Sequence, residues 1–137
     1  MKILIEKERA SLHHLPEINS VLLTWKTYAN HETYKYMFTK GVDKFLEVKA
    51  TSWISDIRNE GVISPELSKW LKSEAIPKAI AGGLKRIAVV MDSDVFKKFY
   101  VKNVKQDATE GGIKFMEYFD NLEDAKKWIE EMQEVAV

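Results

Sequence analysis

Apolar and polar residues follow two different periods along the chain, and each period predicts a type of element. Lys2–Glu6 is apolar and rich in β-favouring residues, which predicts a first strand. Residues 21–28 alternate between two faces and predict a second strand. The intervening SLHHLPEINS contains Pro16 and Asn19, so we expect a hairpin or a short irregular excursion there.

After Asn30 the apolar spacing changes to three and four residues, which is typical of an amphipathic helix. Asn30 is a good N-cap for this helix. The apolar stripe consists of Tyr34, Met37, Phe38, Gly41 and Phe45. A glycine inside a helix costs about 1 kcal/mol relative to alanine, so Gly41 predicts a close approach of the helix to the sheet. Residues 50–57 then predict another strand.

A second helical region follows in residues 64–80. The run SPE places Ser64 at the N-cap and a proline at the first helical position. Pro77 cannot donate to the helical ladder, so we expect a break into two helical pieces near Ala75. The pair Gly82-Gly83 ends the region.

The last third of the chain predicts two further strands and two further helices. Residues 86–91 include five consecutive apolar residues, which is typical of a parallel strand buried on both faces. The run DSD at 92–94 caps a helix with Phe96, Phe99, Tyr100 and Val104 facing inward. Residues 113–119 predict the last strand. Asp120 or Asn121 then caps a helix with the stripe Leu122, Ala125, Trp128, Ile129 and Met132.

The alternation of strands and helices predicts an α/β fold in one domain that spans residues 1–137. We expect a single-layer, mixed and mostly parallel sheet of about five strands with four main helices. The opening pair of strands adds an antiparallel element to this sheet.

This order of elements resembles the STAS domain, particularly the SpoIIAA-like family of small stand-alone bacterial proteins. TSWISDI resembles the third strand of that family, and NEGVISPELSKWL resembles the loop and helix after it. AGGLKRIAVVMDSDVFKKF resembles the next helix end, buried strand and helix, and FDNLEDAKKWIEEM resembles the closing helix. The resemblance covers nearly the whole chain and implies a SpoIIAA/STAS-like fold.

The resemblance also implies a function without catalysis. STAS proteins that act as anti-sigma-factor antagonists carry a phosphorylatable serine in an Asp-Ser-Ser-Gly-like run after the third strand. This chain departs from that run, because Asp56 is followed by a longer loop and then by Ser64 and a proline. Ser64 is the position that corresponds by topology. A regulatory or protein-interaction module with a protein partner, or a homodimer, is therefore the first hypothesis.

Two alternatives remain open from the sequence. Other SpoIIAA-like proteins resemble lipid-transfer domains, which implies a small-molecule or lipid-binding protein with a small apolar ligand. The second alternative is a Mg-dependent phosphoryl-transfer protein, because Asp56, Asp92 and Asp94 follow the carboxyl ends of predicted parallel strands. Asp92 and Asp94, with Ser93 between them, also suit the start of a helix. Ser64 is likewise either a phosphorylation or anion site or a plain N-cap.

Composition narrows the remaining chemistry. The chain has no cysteine, which excludes disulfides and thiol chemistry. Lys plus Arg and Asp plus Glu each number 21, so we expect no nucleic-acid partner. The histidines, His13, His14 and His31, lack the spacing of a metal site, and we expect neither a metal nor a cofactor. The N-terminus has only three consecutive apolar residues, and no run approaches a transmembrane segment, so we expect a cytoplasmic protein.

Overall fold

The computed structural model describes residues 1–95 and 115–135, which form an α/β fold around one mixed sheet of six strands. Neighbouring strands in the sheet are also neighbours in the chain. The first three strands pair antiparallel, and the last three continue the sheet in parallel from the third strand. The strands are β1 (Lys2–Glu6), β2 (Ala10–Leu15), β3 (Ser20–Trp25), β4 (Ser52–Asp56), β5 (Arg86–Val90) and β6 (Phe115–Phe119).

The prediction of about five strands is wrong by one, because part of the expected excursion forms β2. Leu12 of this strand is fully buried opposite Leu23 of β3. The adjacent polar pair His13 and His14 obscured the alternation in the sequence, although both residues are only partly exposed in the strand. The turn expected around Pro16 and Asn19 is confirmed as a hairpin connection: a single turn of 3-10 helix at Pro16–Ile18, followed by Asn19 in the left-handed conformation, joins β2 to β3.

Helices cover both faces of the sheet. In the described residues these helices are α1 (His31–Glu47), α2 (Pro65–Trp70), α3 (Ile76–Ala81) and α4 (Leu122–Val135). The first three helices bury one face of the sheet, and α4 lies on the opposite face. The chain also becomes helical at residues 93–95. The rest of that predicted helix, with Phe96, Phe99, Tyr100 and Val104, lies outside the described residues.

The predicted cap and glycine of α1 are both confirmed. The Asn30 side-chain oxygen accepts a hydrogen bond from the backbone N–H of Thr33 at 2.8 Å. Gly41 lies inside the helix against Trp53 of β4, where an added Cβ would come within 2.9 Å of Trp53 Cη2. The absence of a side chain at Gly41 therefore lets α1 approach the sheet closely.

The predicted break near Ala75 is wrong in kind, although its location is right. The helical course continues from α2 to α3 through a π-helical turn at Leu71–Ala75. Within it the N–H of Ile76 donates to the carbonyl of Leu71, five residues earlier. Pro77 has no N–H for the carbonyl four residues before it, and its ring crowds that carbonyl. A wider turn relieves this conflict without ending the helix.

The second face of the sheet is closed by α4. Ala125 and Ile129 of this helix are fully buried, and Trp128 packs against Phe119 with ring centroids 5.7 Å apart. Of the two predicted caps, Asn121 is confirmed, because its side-chain oxygen accepts a hydrogen bond from the backbone N–H of residue 124 at 2.8 Å.

Candidate functional site

The predicted site residues lie where β4 and β5 end. Asp56 is the last residue of β4 and is in register with Val90, the last residue of β5. Ligands of parallel α/β sheets bind at these carboxyl ends, usually where the strand order reverses. The parallel strands β3 to β6 follow one another without reversal, so the strand order itself opens no crevice here. Any site at this edge must be built by the loops.

Asp56 is tied to a neighbouring cation. Its carboxylate accepts hydrogen bonds from Arg58 Nε at 2.9 Å and from Arg58 Nη2 at 2.6 Å. The hydrogen bond to Asp56 raises the pKa of Arg58 further above its usual range. Asp56 is buried while the Arg58 side chain is nearly half exposed. Both carboxylate oxygens of Asp56 therefore accept hydrogen bonds from the Arg58 guanidinium, and this pairing fixes the start of the following loop.

Asp92 and Asp94 are exposed on the next strand end. The Asp92 carboxylate accepts the backbone N–H of Asp94 at 3.0 Å, as expected for the start of a helix. Within residues 1–95 and 115–135, no group of three potential metal ligands among His, Asp and Glu comes together. These two aspartates thus have the capping geometry that the sequence offered as the alternative to a ligand site.

Ser64 has the geometry of an N-cap. Its Oγ accepts the backbone N–H of Leu67 at 3.1 Å, and Pro65 is the first residue of α2. The serine as a whole residue is exposed. The cap is confirmed, whereas phosphorylation of Ser64 stays a prediction.

The loop between β4 and α2 folds into a well-anchored turn. The N–H of Ile57 donates to the carbonyl of Val90 at 2.8 Å, and the N–H of Glu60 donates to the carbonyl of Ile57 at 3.1 Å. The carbonyl of Glu60 accepts the N–H of Ala29 at 2.7 Å, which joins this loop to the segment before α1. These backbone hydrogen bonds fix the loop at three places.

This anchored loop presents apolar surface to solvent. Val62 is 97% exposed, and Tyr28 of the neighbouring segment is 59% exposed. Gly61 lies between them at φ +81°, and a Cβ at this glycine would be 3.1 Å from the Tyr28 Cβ. Arg9 holds Tyr28 from the other side by donating to its carbonyl at 3.1 Å and lying over its ring. We call the patch of Tyr28, Gly61 and Val62 the corner surface.

A buried carboxyl lies beneath the corner surface. Glu60 is only 9% exposed, and burial raises the pKa of its carboxyl to about 7. Tyr34 of α1 is 3% exposed, and its pKa is raised by burial and further by the charge of Glu60. No sequence pattern indicated that Glu60 is buried beside Tyr34, because RNEG at 58–61 has the composition of an exposed turn.

Aromatic rings surround Tyr34. Its ring stacks on Trp25 with centroids 6.0 Å apart and planes 11° apart. Trp70 of α2 meets Tyr34 edge-on at 6.4 Å, and Phe38 lies at 4.8 Å. Trp25 is 1% exposed, and its Nε1–H has no hydrogen-bond partner in the described part of the chain.

The histidines do not form a site. His13 and His14 are successive residues of β2 and therefore point to opposite faces of the sheet. Each has one buried ring nitrogen without a partner among the described residues. His31 is the exposed first residue of α1.

No protein-family model matches the chain, and comparisons with curated proteins and with solved structures find no match. Among the helices of the described ranges, none has the length and apolar character that crossing a bilayer requires. The functional assignment therefore rests on the geometry of this chain.

Proposed function

We propose that this chain is a non-enzymatic STAS-like interaction module that binds a protein partner through the corner surface. One observation supports this function most directly: Val62 is almost fully exposed beside the exposed Tyr28 on an anchored loop. A single exposed valine is ordinary on a protein surface. An exposed valine and an exposed tyrosine on two segments that are hydrogen-bonded to each other offer the aromatic and apolar contact that protein interfaces favour.

Phosphorylation of Ser64 would regulate the binding of a partner at the corner surface. Ser64 follows Val62 by two residues and caps α2 with its hydroxyl. A phosphate at this residue would add negative charge at a helix N-terminus, where it is electrostatically favoured, and would change the charge beside the corner surface. This is the partner-switching position that the STAS resemblance implies.

The alternative functions have different support. A small-molecule binding protein of the same fold is favoured by a separate observation, the buried indole N–H of Trp25, which has no hydrogen-bond partner in the described part of the chain. A Mg-dependent phosphoryl-transfer protein would use Asp56 and Asp92. Asp56 is bound by Arg58 and Asp92 caps a turn, so we rank this function last.

Site-specific photo-crosslinking in cells of origin tests the partner surface. A photo-reactive amino acid replaces Val62 in one variant and Ile3, an exposed residue of strand β1, in a matched control. We expect a discrete adduct from position 62 that is absent from position 3 and is lost when Tyr28→Ala is added. An adduct of doubled mass would identify a second copy of the chain as the partner. Identical adducts at both positions, or none at position 62, would contradict the proposal.

The same crosslinking strain tests the regulatory role of Ser64. The substitution Ser64→Glu should reduce or redirect the adduct formed at position 62, while Ser64→Ala should preserve it. An adduct that is unchanged by Ser64→Glu would separate the interaction surface from any phosphorylation switch.

A further inference from the structure

The exposed apolar side chains of the described residues are concentrated around the corner surface. The large apolar residues exposed in the described ranges are Met1, Ile3, Tyr28, Tyr36, Val62 and Val95. Tyr28 and Val62 belong to the corner surface itself. Tyr36 of α1 lies beside the turn that joins β1 to β2, under the side chain of Lys7. Half of these exposed residues therefore lie in one region, whereas single exposed apolar residues are normally scattered.

The turn of residues 7–9 borders the corner surface and is fixed to it. The backbone N–H of Lys26 donates to the carbonyl of Arg9 at 2.8 Å, which ties the turn to the segment that leads to Tyr28. The Nζ of Lys26 also donates to the carbonyl of Lys7 at 2.9 Å. The turn therefore presents its side chains from an anchored backbone.

Two cations of this turn lie over exposed aromatic rings. The Arg9 guanidinium carbon is 4.4 Å from the centroid of the Tyr28 ring, and Arg9 Nη1 donates to the Tyr28 carbonyl at 3.1 Å. The Nζ of Lys7 is 4.6 Å from the centroid of the Tyr36 ring. A guanidinium that is already held against a ring loses little further freedom when it binds a ligand. Arg9 is therefore positioned in advance for a partner.

Neither cation is neutralised by the described part of the chain. Lys7 and Arg9 form no ion pair with a described carboxylate, and the nearby Glu6 is held by Lys26. Two of the guanidinium N–H groups of Arg9 are used by Tyr28, and the others have no acceptor among the described residues. Glu8, between the two cations in the sequence, is exposed and forms no ion pair in the described ranges.

These charges favour a carboxylate as the group that binds. The planar fork of a guanidinium matches the two oxygens of a carboxylate. Arginine and tyrosine are also the residues that contribute most to tight protein interfaces. A nucleic acid or an anionic membrane would require a continuous basic surface, and Glu8 interrupts this one. The whole chain likewise has equal numbers of basic and acidic residues.

We propose that the corner surface binds an acidic protein segment. One aspartate or glutamate of this segment pairs with Arg9 and Lys7. A neighbouring apolar side chain of the segment packs against Tyr28 and Val62. The inference rests on the proposed function and adds the chemical class of the partner. It also gives a physical reason for the effect expected of Ser64→Glu, because a negative charge near Val62 would repel an acidic segment.

A peptide copied from the partner provides the probe. The adduct from position 62 is mapped by mass spectrometry to a segment of the partner, and a synthetic peptide of that segment is titrated against the whole protein by calorimetry. We expect the segment to contain an aspartate or glutamate beside the crosslinked residue. Binding should weaken about tenfold or more in Arg9→Gln. Lys7→Gln, which leaves the contacts of Tyr28 in place, should weaken binding by a smaller factor.

Two control variants make the sign of the charge effect explicit. Lys85→Gln removes an exposed lysine just before β5, at the other end of the parallel strands, and should leave binding unchanged. Glu8→Gln removes a negative charge from the turn and should tighten binding of an acidic peptide by about twofold to fivefold. Weaker binding to Glu8→Gln would indicate a basic segment and overturn the proposal. Unfolding curves show whether each variant is folded.

An exchange of charges separates direct pairing from support of the Tyr28 ring. Arg9→Glu should abolish binding of the original peptide. A peptide in which arginine replaces the acidic residue should recover part of the binding to Arg9→Glu. If Arg9 acted only by holding Tyr28, a change in the peptide would not restore binding, and this outcome would overturn the proposed pairing.

The outcomes distinguish this inference from the proposed function. A segment without aspartate or glutamate, or equal binding to wild type and Arg9→Gln, would overturn the inference and leave the interaction at position 62 intact. The absence of any adduct from position 62 would contradict the proposed function and the inference together. Flotation with phosphatidylglycerol vesicles that depends on Arg9 and Lys7, without a protein adduct, would assign the surface to an anionic membrane and would also overturn the inference.

Discussion

Replacement of Glu60 by glutamine should stabilise the fold at alkaline pH and change it little at acidic pH. The carboxyl of Glu60 is buried, and its pKa is raised from 4.5 to about 7 in the folded protein. A folded state with the higher pKa binds the proton more tightly than the unfolded state does. Its stability is therefore complete below pH 4.5 and decreases as the pH rises through about 7. Glutamine is neutral throughout and does not share this loss.

The magnitude follows from the size of the shift. One pKa unit corresponds to about 1.4 kcal/mol, so the shift of Glu60 amounts to roughly 3 kcal/mol when the titration is complete. Part of this loss has already occurred at about pH 5, because the unfolded carboxyl titrates near that pH. Between about pH 5 and about pH 8.5 the difference in unfolding free energy between variant and wild type should grow by about 2–3 kcal/mol in favour of Glu60→Gln.

Equilibrium urea unfolding at a series of pH values measures this difference directly. The free energies of unfolding of wild type and Glu60→Gln are determined at each pH from curves with comparable slopes. Contributions that do not involve Glu60 are common to both proteins and cancel in the difference. The remaining curve should resemble the titration of one acid.

The exposed Glu8 provides the control for a change of charge without burial. Glu8→Gln should differ from wild type by less than about 0.5 kcal/mol at every pH. Parallel pH profiles for wild type and Glu60→Gln would refute the reasoning, because the Glu60 carboxyl would then titrate equally in the folded and unfolded protein. A greater loss of stability in the variant at alkaline pH would show that ionised Glu60 has a favourable partner.

Three further substitutions test other parts of the structure by unfolding in urea at neutral pH. Gly41→Ala should destabilise the protein by about 1 kcal/mol, because overpacking against the fixed Trp53 ring outweighs the gain in helix propensity. Arg58→Ala should cost about 1–3 kcal/mol, since it leaves the buried carboxylate of Asp56 without its cation. Ser64→Ala should cost about 1 kcal/mol through loss of the helix cap.

Matched variants give two of these results a comparison. Lys78→Ala removes an ion pair with Asp43 in which both side chains are about half exposed, and should cost less stability than Arg58→Ala. Ser64→Asp retains an N-cap and should keep most of the stability that Ser64→Ala loses. An Arg58→Ala protein as stable as Lys78→Ala would show that Asp56 is effectively solvated. A stabilised Gly41→Ala protein would show that Trp53 can move away.

Much of the fold was predictable because its signals are local. The cap at Asn30, the apolar stripe of α1 and the apolar run of β5 each lie within a few residues. The strand β2 was missed because His13 and His14 interrupt its alternation with two partly buried polar residues. The location of the π turn was predictable from Pro77, but its continuity with α3 depends on packing against α1 and was not.

The site was less predictable than the fold. Asp56, Ser64 and Asp92 were found from their places at strand and helix ends, and the structure gives each a local structural partner. Glu60 was not found, because its burial arises from long-range contacts. The loop after β4 folds against Ala29, 31 positions earlier in the chain, and no short sequence pattern records that contact.

The agreement between strand order and chain order has a consequence for synthesis on the ribosome. Each strand from β2 onward pairs with the strand made just before it, so the sheet can grow at one edge as the chain emerges. In the described sheet, no strand lies between two strands that are far apart in the order of synthesis. The face that α4 covers is the exception, since Leu22 and Ile54 stay uncovered by it until this helix has been translated. A newly made chain is therefore most prone to aggregate through that face, in the interval before α4 leaves the exit tunnel.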